Sequence, residues 1–223
     1  MKLIHPELLF QIQFTDSQIP VCIVESPVRW RNMQRELCLQ HQGEDGKWVL
    51  SEADQEIGIC KWVELVLNPL QLEENQKKIM QIFLRSFCEK AVSDMYWKKS
   101  QELNAMIQSF FSDLEMEYSF EYLIRSEINF SSLAKAMEIQ IESQYDSDLE
   151  RLIQYCTLFQ EMMQTKLFIF FHLHDYFSDQ ELALFYQEIL SREWKVLLME
   201  TSVRNECSLE KYYIVDADEC EIY

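Results

Sequence analysis

Apolar and polar positions alternate between two periods along the last third of the chain, residues 146–223. Apolar residues recur at helical spacing over 149–163, and Ser147 with Glu150 just before them has the spacing of a capping box. Residues 167–171 are five consecutive apolar residues with high β propensity. Such a run favours a strand that is covered on both faces, as in a parallel sheet.

The same alternation continues to the end of the chain. Ser178 and Glu181 form a second capping box ahead of a helical repeat over 182–190. Apolar strands are then predicted at 196–199 and 212–215. Strand, helix and strand at this spacing form a βαβ unit, which requires a parallel sheet and a right-handed crossover.

The first 70 residues also predict a mixture of strands and helix. The expected elements are strands at 8–14, 20–24, 47–50 and 62–67, a helix at 26–40 and a turn at 42–46. Beyond Asn68-Pro69 the pattern is purely helical over 70–112, with two apolar stripes. We then expect a strand at 116–124, a short helix at 131–137 and a strand at 138–142.

These elements predict an α/β fold with a mainly parallel sheet and an inserted helical hairpin. Residues 1–69 and 113–223 would form the α/β head domain, and residues 70–112 a helical leg domain. Three glycines and four prolines in 223 residues leave little room for flexible linkers.

Residues 146–166, followed by LFIFFHLHDYFSDQELALFYQEIL, KVLLME and KYYIVDAD, resemble the C-terminal half of the Csn-two family. These are CRISPR-associated proteins of type II-A loci that act in acquiring new spacers. The resemblance is clearest over 135–218. It implies a head with a degenerate P-loop-ATPase-like core, helices that form a leg, and four subunits that close a ring around double-stranded DNA. It also implies a non-enzymatic protein that binds DNA ends and recruits the CRISPR effector nuclease and the spacer integrase complex.

Charge is the feature that fits DNA binding least. The formal net charge is −18, which opposes nonspecific binding to nucleic acid. DNA binding therefore requires the 20 Lys and Arg residues to be concentrated on one surface, with assembly to pool them. The alternative is an acidic scaffold that binds other proteins and no DNA.

Candidate DNA-binding residues lie mostly on the predicted hairpin: Lys77, Lys78, Arg85, Lys98 and Lys99, with Arg125 further along. Lys78 and Arg85 share a helix face at a spacing of seven residues. The alternative is an ordinary solvated helix, because Glu73 and Glu74 precede Lys77 and Lys78 by four residues.

Acidic residues follow the second predicted long helix: Asp113, Glu115, Glu117, Glu121 and Glu127. Clustered carboxylates suit calcium, which accepts six to eight oxygen ligands, although a solvated acidic turn has the same pattern. Members of the resembled family bind calcium through this segment. Glu115 and Glu117 fall at the matching positions, while Ser119 and Phe120 stand where the family has further carboxylates.

A nucleotide cofactor is not expected. A phosphate-binding loop after the first core strand needs glycines, then lysine and a hydroxyl residue. Residues 25–30 contain no glycine, and Glu25 would repel phosphate. ATP hydrolysis is therefore not expected.

His172, His174 and Asp175 follow the strongest predicted strand. We expect both imidazoles to point to the same side, and Asp175 could add a carboxylate. This arrangement suggests a metal-dependent hydrolase or nuclease as an alternative function, although a zinc site needs further ligands. The simpler interpretation is a group of polar residues at a strand end.

Location is predicted from what the sequence lacks. Its start has no basic-then-apolar signal segment, and no apolar run approaches membrane-spanning length. The seven cysteines form no CxxC pair. We therefore expect a cytoplasmic protein with reduced thiols and no membrane contact.

Overall fold

The structure is a computed structural model that describes residues 1–141, 145–204 and 207–223, apart from the side chains of residues 73–78. The chain divides into two compact units, Met1–Glu74 with Gln144–Tyr223 and Asn75–Ser143. We call the first the head and the second the helical unit. The sequence-based division placed residues 113–143 in the head, whereas here they group with the two long helices.

The described residues of the head form two β-sheets. The strands are β1 Lys2–Ile4, β2 Ile12–Gln13, β3 Ile19–Val24, β4 Val49–Glu52, β5 Gln55–Ile57, β6 Val63–Val66, β7 Leu167–Phe171, β8 Val196–Glu200, β9 Glu210–Val215 and β10 Glu221–Ile222. An antiparallel sheet has the order β2-β1-β4-β5, and a larger sheet the order β10-β9-β3-β8-β7-β6. All strands from β9 to β6 in the larger sheet are parallel, and only β10 is antiparallel. The predicted mainly parallel sheet is therefore confirmed.

Helices connect these strands and form most of the helical unit. They are α1 Pro27–His41, α2 Ile59–Trp62, α3 Glu73–Ala91, α4 Trp97–Glu115, α5 Phe130–Ala136, α6 Asp148–Met163 and α7 Asp179–Ser191, with a short 3-10 turn at Leu173–Asp175. The helix predicted at 26–40 and the short helix at 131–137 are confirmed within a residue or two.

Strand β7 is buried on both faces, as its sequence predicts. It lies between β6 and β8. Leu167, Ile169 and Phe171 join a core that also contains residues of α1 and of the antiparallel sheet. On the opposite face the ring of Phe170 lies 5.5 Å from that of Phe185 on α7. Each fully buried Phe contributes about 1.5–3 kcal/mol through removal from water, so this strand anchors both layers.

The two predicted capping boxes differ in how completely they form. At α7 the hydroxyl of Ser178 accepts a hydrogen bond from the amide of Glu181, and the Glu181 carboxylate accepts one from the Ser178 amide. At α6 the Ser147 hydroxyl accepts a hydrogen bond from the Glu150 amide, but the Glu150 carboxylate binds the Asp146 amide instead. Ser147 and Ser178 each still cap the start of a helix.

The continuous strand predicted at 8–14 is wrong. Leu8 donates its amide to the carbonyl of His5 in a turn, and Leu9 donates its amide to the carboxylate of Glu221 at 2.8 Å. A side chain more than 200 residues away therefore takes the hydrogen bond that a neighbouring strand would otherwise accept. Only Ile12–Gln13 is extended and paired.

The strand predicted at 116–124 is also wrong. Glu117 and Tyr118 donate their amides to carbonyls at the end of α4, which gives turns rather than a ladder. The strand predicted at 138–142 does not form over residues 138–141, because Glu138 has φ of +51° and the Ile139 amide bonds back to Ala134. Glu142 lies outside the described residues.

The helical unit contains α3 and α4, 19 residues each, joined by a short turn. The Ser100 hydroxyl donates to the carbonyl of Ala91 at 2.6 Å across that turn. After α4 the backbone is held by side chains of the helix: Asn104 donates to the carbonyl of Ser126 and Gln108 to that of Arg125. That this unit acts as a leg stays a prediction.

Candidate functional site

The helical unit carries much less negative charge than the rest of the chain. Residues 75–143 contain eight Lys and Arg against ten Asp and Glu, a net charge of −2, which leaves −16 of the chain's −18 on the head. Within residues 75–112 the balance is positive, with six Lys and Arg against three Asp and Glu. Over the full helices α3 and α4 the same six cations are matched by six Asp and Glu, so these helices are neutral while the head is strongly acidic. Charge therefore opposes DNA binding least at these helices.

The predicted DNA-binding side chains that the structure describes are all exposed to solvent. Arg85 lies on α3, Lys98 and Lys99 lie in the first turn of α4, and Arg125 follows that helix. Lys98 lies 4.0 Å from the carboxylate of Glu102, a weak exposed pair. Lys77 and Lys78 lie outside the described side chains. Whether these cations face one surface stays a prediction.

Helix α4 has an apolar face that the chain leaves exposed. None of its 19 residues is buried. On this face the large apolar side chains that remain in solvent are Leu103, Met106, Phe110, Phe111 and Leu114, and Trp97 in the first turn is also exposed. Exposing contiguous apolar surface costs about 25 cal/mol for each Å² that a partner could cover. A face of this kind marks a surface for protein contact.

The predicted calcium ligands do not converge. Glu115 is the last residue of α4, and its carboxylate accepts a hydrogen bond from the amide of Tyr122 at 3.3 Å. Glu117, Glu121 and Glu127 are exposed. Within the described ranges, no three His, Cys, Asp or Glu side chains are grouped closely enough to hold a metal ion. The carboxylates as arranged here do not fit a calcium cage, and calcium binding stays a prediction.

The expectation that His172 and His174 point to the same side is wrong. The strand ends at Phe171 and His172 takes a left-handed conformation with φ of +55°, which stops the alternation of side chains. The His172 ring packs against Trp30, with centroids 4.8 Å apart, and its Nδ1 lies 3.7 Å from Asp175. The His174 ring is buried elsewhere and is already bound to Glu210. The structure therefore gives no support to the proposed hydrolase site.

The turn after β3 presents a carboxylate where a nucleotide site would present amides. Glu25 donates its amide to the carbonyl of Val215, and its carboxylate accepts the amide of Ala217 at 3.1 Å. Helix α1 begins at Pro27, which has no N–H to offer a phosphate. The turn is thus closed against the segment after β9.

Sequence reasoning missed a buried polar cluster in the head, which we call the His174 cluster. It consists of His174, Tyr186, Glu200, Glu210 and Tyr212. His174 Nε2 lies 3.0 Å from Glu210 Oε1 and 3.2 Å from the Tyr186 hydroxyl. Tyr186 and Tyr212 donate their hydroxyls to the two oxygens of the Glu210 carboxylate. Glu200 accepts the backbone amide of His174 at 3.2 Å.

Burial and pairing shift the ionisation of this cluster. Burial favours the neutral form of His174, but the hydrogen bond to Glu210 and the charges of Glu200 and Glu210 outweigh it, so its pKa is raised. Burial opposes the charge of Glu210, yet the donors His174, Tyr186 and Tyr212 hold its pKa below the usual range. Burial raises the pKa of Glu200 to about 7, against the opposing influence of His174.

A cavity of about 300 Å³ adjoins the cluster. Its lining residues are His174, Asp179, Leu182, Tyr186, Arg204 and Glu210, among others. The Nδ1 atom of His174 is buried without a hydrogen-bond partner among the described atoms. The one sequence signal for this site was weak. Glu200 is a charged residue that directly follows four apolar residues, 196–199, in the same strand.

Two further observations bear on location. None of the helices in the described part of the chain is both long and apolar enough to cross a lipid bilayer. All seven cysteines are free thiols, two of them exposed, Cys60 and Cys220. Placement in the cytoplasm stays a prediction.

Comparison with known proteins agrees with the earlier resemblance. No curated protein matches the chain. Among solved structures, it is similar to a putative ABC transporter (ATP-binding protein) from Pyrococcus furiosus, at 6% sequence identity and a TM-score of 0.39, covering 95% of this chain and 97% of that one. A family model described as CRISPR-associated protein (Cas_Csn2) matches residues 40–219, most of the chain. The chain therefore belongs to the CRISPR-associated Cas_Csn2 family.

Proposed function

We propose that this protein acts in the acquisition of new spacers as a non-enzymatic, ring-shaped homotetramer that binds the ends of double-stranded DNA. The family match over residues 40–219 is the observation that carries the proposal. The protein partners are the CRISPR effector nuclease and the spacer integrase complex, which the ring recruits to the bound end.

The distribution of charge supports DNA binding by the helical unit. Residues 75–112 have an excess of three positive charges in a chain of −18. Phosphate contacts need local cations and carry no sequence information, so binding is independent of sequence. Lys98 and Lys99 are the first candidates, because both are exposed in one helical turn.

The exposed face of α4 supports assembly. A helix of 19 residues with no buried side chain gains little from its own unit, and covering Met106, Phe110 and Phe111 would stabilise a complex. Each added subunit also adds its own set of cations. Assembly therefore supplies both the buried apolar area and the positive charge that one chain lacks.

The head is proposed to be a degenerate P-loop-like core that binds no nucleotide. The turn after β3 lacks glycine, and the carboxylate of Glu25 is held by the amide of Ala217. Charge repulsion and the missing amides both oppose triphosphate binding there. The core then acts as a scaffold for the ring.

The experiment compares binding to linear and closed circular DNA of the same sequence at matched salt. A closed ring must thread onto an end, so linear DNA should bind more tightly. Affinity should fall steeply between about 50 and 200 mM salt, because each neutralised phosphate releases counterions. Mass in solution, measured on the same samples, tests the tetramer.

Charge reversal identifies the surface. The double variant Lys98→Glu, Lys99→Glu should weaken binding and reduce the salt slope by about 1 for each phosphate that is no longer neutralised. The matched control is Lys61→Glu, Lys211→Glu, which changes net charge equally at exposed positions of the head. Equal weakening by both pairs would mean that net charge alone matters.

Equal affinity for closed circular and linear DNA would refute threading. Binding to neither DNA at low salt with calcium present would favour the acidic scaffold.

A further inference from the structure

We propose that the His174 cluster is a proton-operated latch, which holds the turn after β7 against β8, β9 and α7 and releases it as the pH rises. The cluster joins four elements of the head. His174 lies in the turn Leu173–Asp175, Glu200 at the end of β8, Glu210 at the start of β9 and Tyr186 on α7. This inference does not depend on the proposed function.

The ring of His174 is the titratable group that connects the turn to β9 and α7. The backbone of the turn is short and begins with His172 in a left-handed conformation. Backbone and apolar contacts also hold the turn: the amide of His172 donates to the carbonyl of Met199, and the side chain of Leu173 is fully buried. The contact that depends on charge is that of the His174 ring with Glu210, and loss of the imidazole proton weakens it. That loss therefore loosens the turn from β9, while the Glu200 carboxylate still accepts the His174 amide.

The charges that face His174 are predominantly acidic. Glu200 on β8 and Glu210 on β9 both favour the imidazolium, while Arg204 opposes it. Asp175, in the same turn, adds negative charge near Glu200. The other titratable groups at the site are Tyr186 and Asp179 on α7, Cys207 beside the cavity, and Tyr212 on β9.

Protonation decides whether these charges balance. With His174 charged, Glu210 ionised and Glu200 neutral, the three buried groups sum to zero. Loss of the protons from His174 and Glu200 leaves two buried carboxylates without the imidazolium that balanced them. The exposed Arg204 compensates them less well, so the change costs free energy. The cavity of about 300 Å³ beside His174 gives water a route to the carboxylates once the turn moves.

Hydrogen exchange measured by mass spectrometry on the full-length protein tests the latch. Amide exchange in a peptide that covers residues 172–177, corrected for the intrinsic effect of pH, should rise about tenfold or more between about pH 6 and 9. A peptide from α1 serves as the internal reference. Slow exchange at the imidazole Cε1 atom reports the pKa of His174 when it is read from the His172→Gln variant, in which His174 is the one histidine of that peptide.

Two variants and one control separate the latch from general loss of structure. His174→Gln removes the imidazolium, so the turn should exchange faster than in the wild type already at pH 6, and the pH dependence that remains should be that of Glu200 alone. Glu200→Gln should lower the pKa of His174 while leaving the protein folded. His172→Gln makes the same substitution two residues away, outside the cluster, and should behave like the wild type.

The results that would overturn the proposal are definite. Corrected exchange of residues 172–177 that is independent of pH in the wild type would refute it. So would a His174 midpoint below the ordinary value of about 6.5, or one that Glu200→Gln leaves unchanged. If His174→Gln does not fold, the wild type and Glu200→Gln still decide the question.

Discussion

Replacing Glu200 with glutamine should flatten the dependence of the protein's stability on pH. Glu200 is only 3% exposed at the end of β8, and burial raises its pKa from the ordinary 4.5 to about 7. The folded protein therefore holds a proton on this side chain at pH values where the unfolded chain has lost it. A raised pKa means stability that is present below pH 4.5 and is lost as the pH rises through about 7.

The size of the effect follows from the two pKa values. Between about pH 5.5 and 8, a carboxyl group with these values costs the wild type about 2 kcal/mol of unfolding free energy. For a chain of this length that corresponds to a fall of about 4–8 °C in melting temperature. His174, whose pKa is also raised, acts in the same direction. Because Glu200→Gln should also lower the pKa of His174, the difference between the two proteins reports the carboxyl group together with its coupling to His174.

Urea unfolding at a series of pH values measures this difference. Glutamine keeps the shape of the side chain and can still accept the His174 amide through its carbonyl oxygen. The variant should match the wild type near pH 5.5 and exceed it near pH 8. The idea of a neutral, buried Glu200 would be refuted if the unfolding free energies of the two proteins changed with pH in parallel. It would also be refuted if the variant were less stable than the wild type at pH 8.

Three further changes test other parts of the structure. Phe170→Ala should lower the unfolding free energy by about 3–5 kcal/mol in urea, because it leaves a cavity against Phe185; a loss below about 1 kcal/mol would contradict the burial of β7. Ser178→Ala should cost about 1 kcal/mol by removing the cap of α7, whereas Ser191→Ala, at its end, should cost less. If calcium draws the acidic segment together, calcium should raise the melting temperature, and Glu117→Gln should weaken that rise. An unchanged response in Glu117→Gln would remove this residue from the site.

Elements with strong local signals were the predictable part of the fold. The run Leu167–Phe171 is apolar at every position, so no face could be left in water, and a strand between two others is its natural place. Ser178 and Glu181 bond to each other across one helical turn, so their effect needs no distant partner. The outcome in both cases depends on neighbouring residues alone.

The strand predictions failed where side chains of other elements form the hydrogen bonds of the backbone. The amide of Leu9 is taken by Glu221, and the alternation of apolar residues around it cannot reveal that partner. The segment 116–124 after α4 is apolar enough for a strand, but the amide of Tyr122 donates to the carboxylate of Glu115 on that helix. In each case side chains of another element satisfied the backbone, so β propensity did not determine the structure.

Candidate sites also differ in whether their residues are close together in the sequence. The spacing of two residues between His172 and His174 suggested a shared site. The left-handed backbone at His172 instead places the His172 ring against Trp30 and the His174 ring beside Glu210. The chemically unusual group is His174 with Glu200 and Glu210, which lie 26 and 36 residues further along the chain. No short motif contains it, because the parallel sheet brings its members together.

The strongly negative average charge does not decide whether the protein binds DNA. Charges further apart than about 8 Å are largely screened at physiological salt, so a phosphate responds to the side chains near it rather than to the total of −18. The relevant quantity is the local charge, which is +3 over residues 75–112 and zero over the full helices α3 and α4. If the protein binds DNA as proposed, the acidic head opposes binding mainly at low salt, where screening is weak, and the lysines of α4 promote it under the same conditions. Neutralising exposed head carboxylates should therefore strengthen binding at low salt and matter little near physiological salt. Equal strengthening at both salt concentrations would mean that the head carboxylates lie close to the bound DNA.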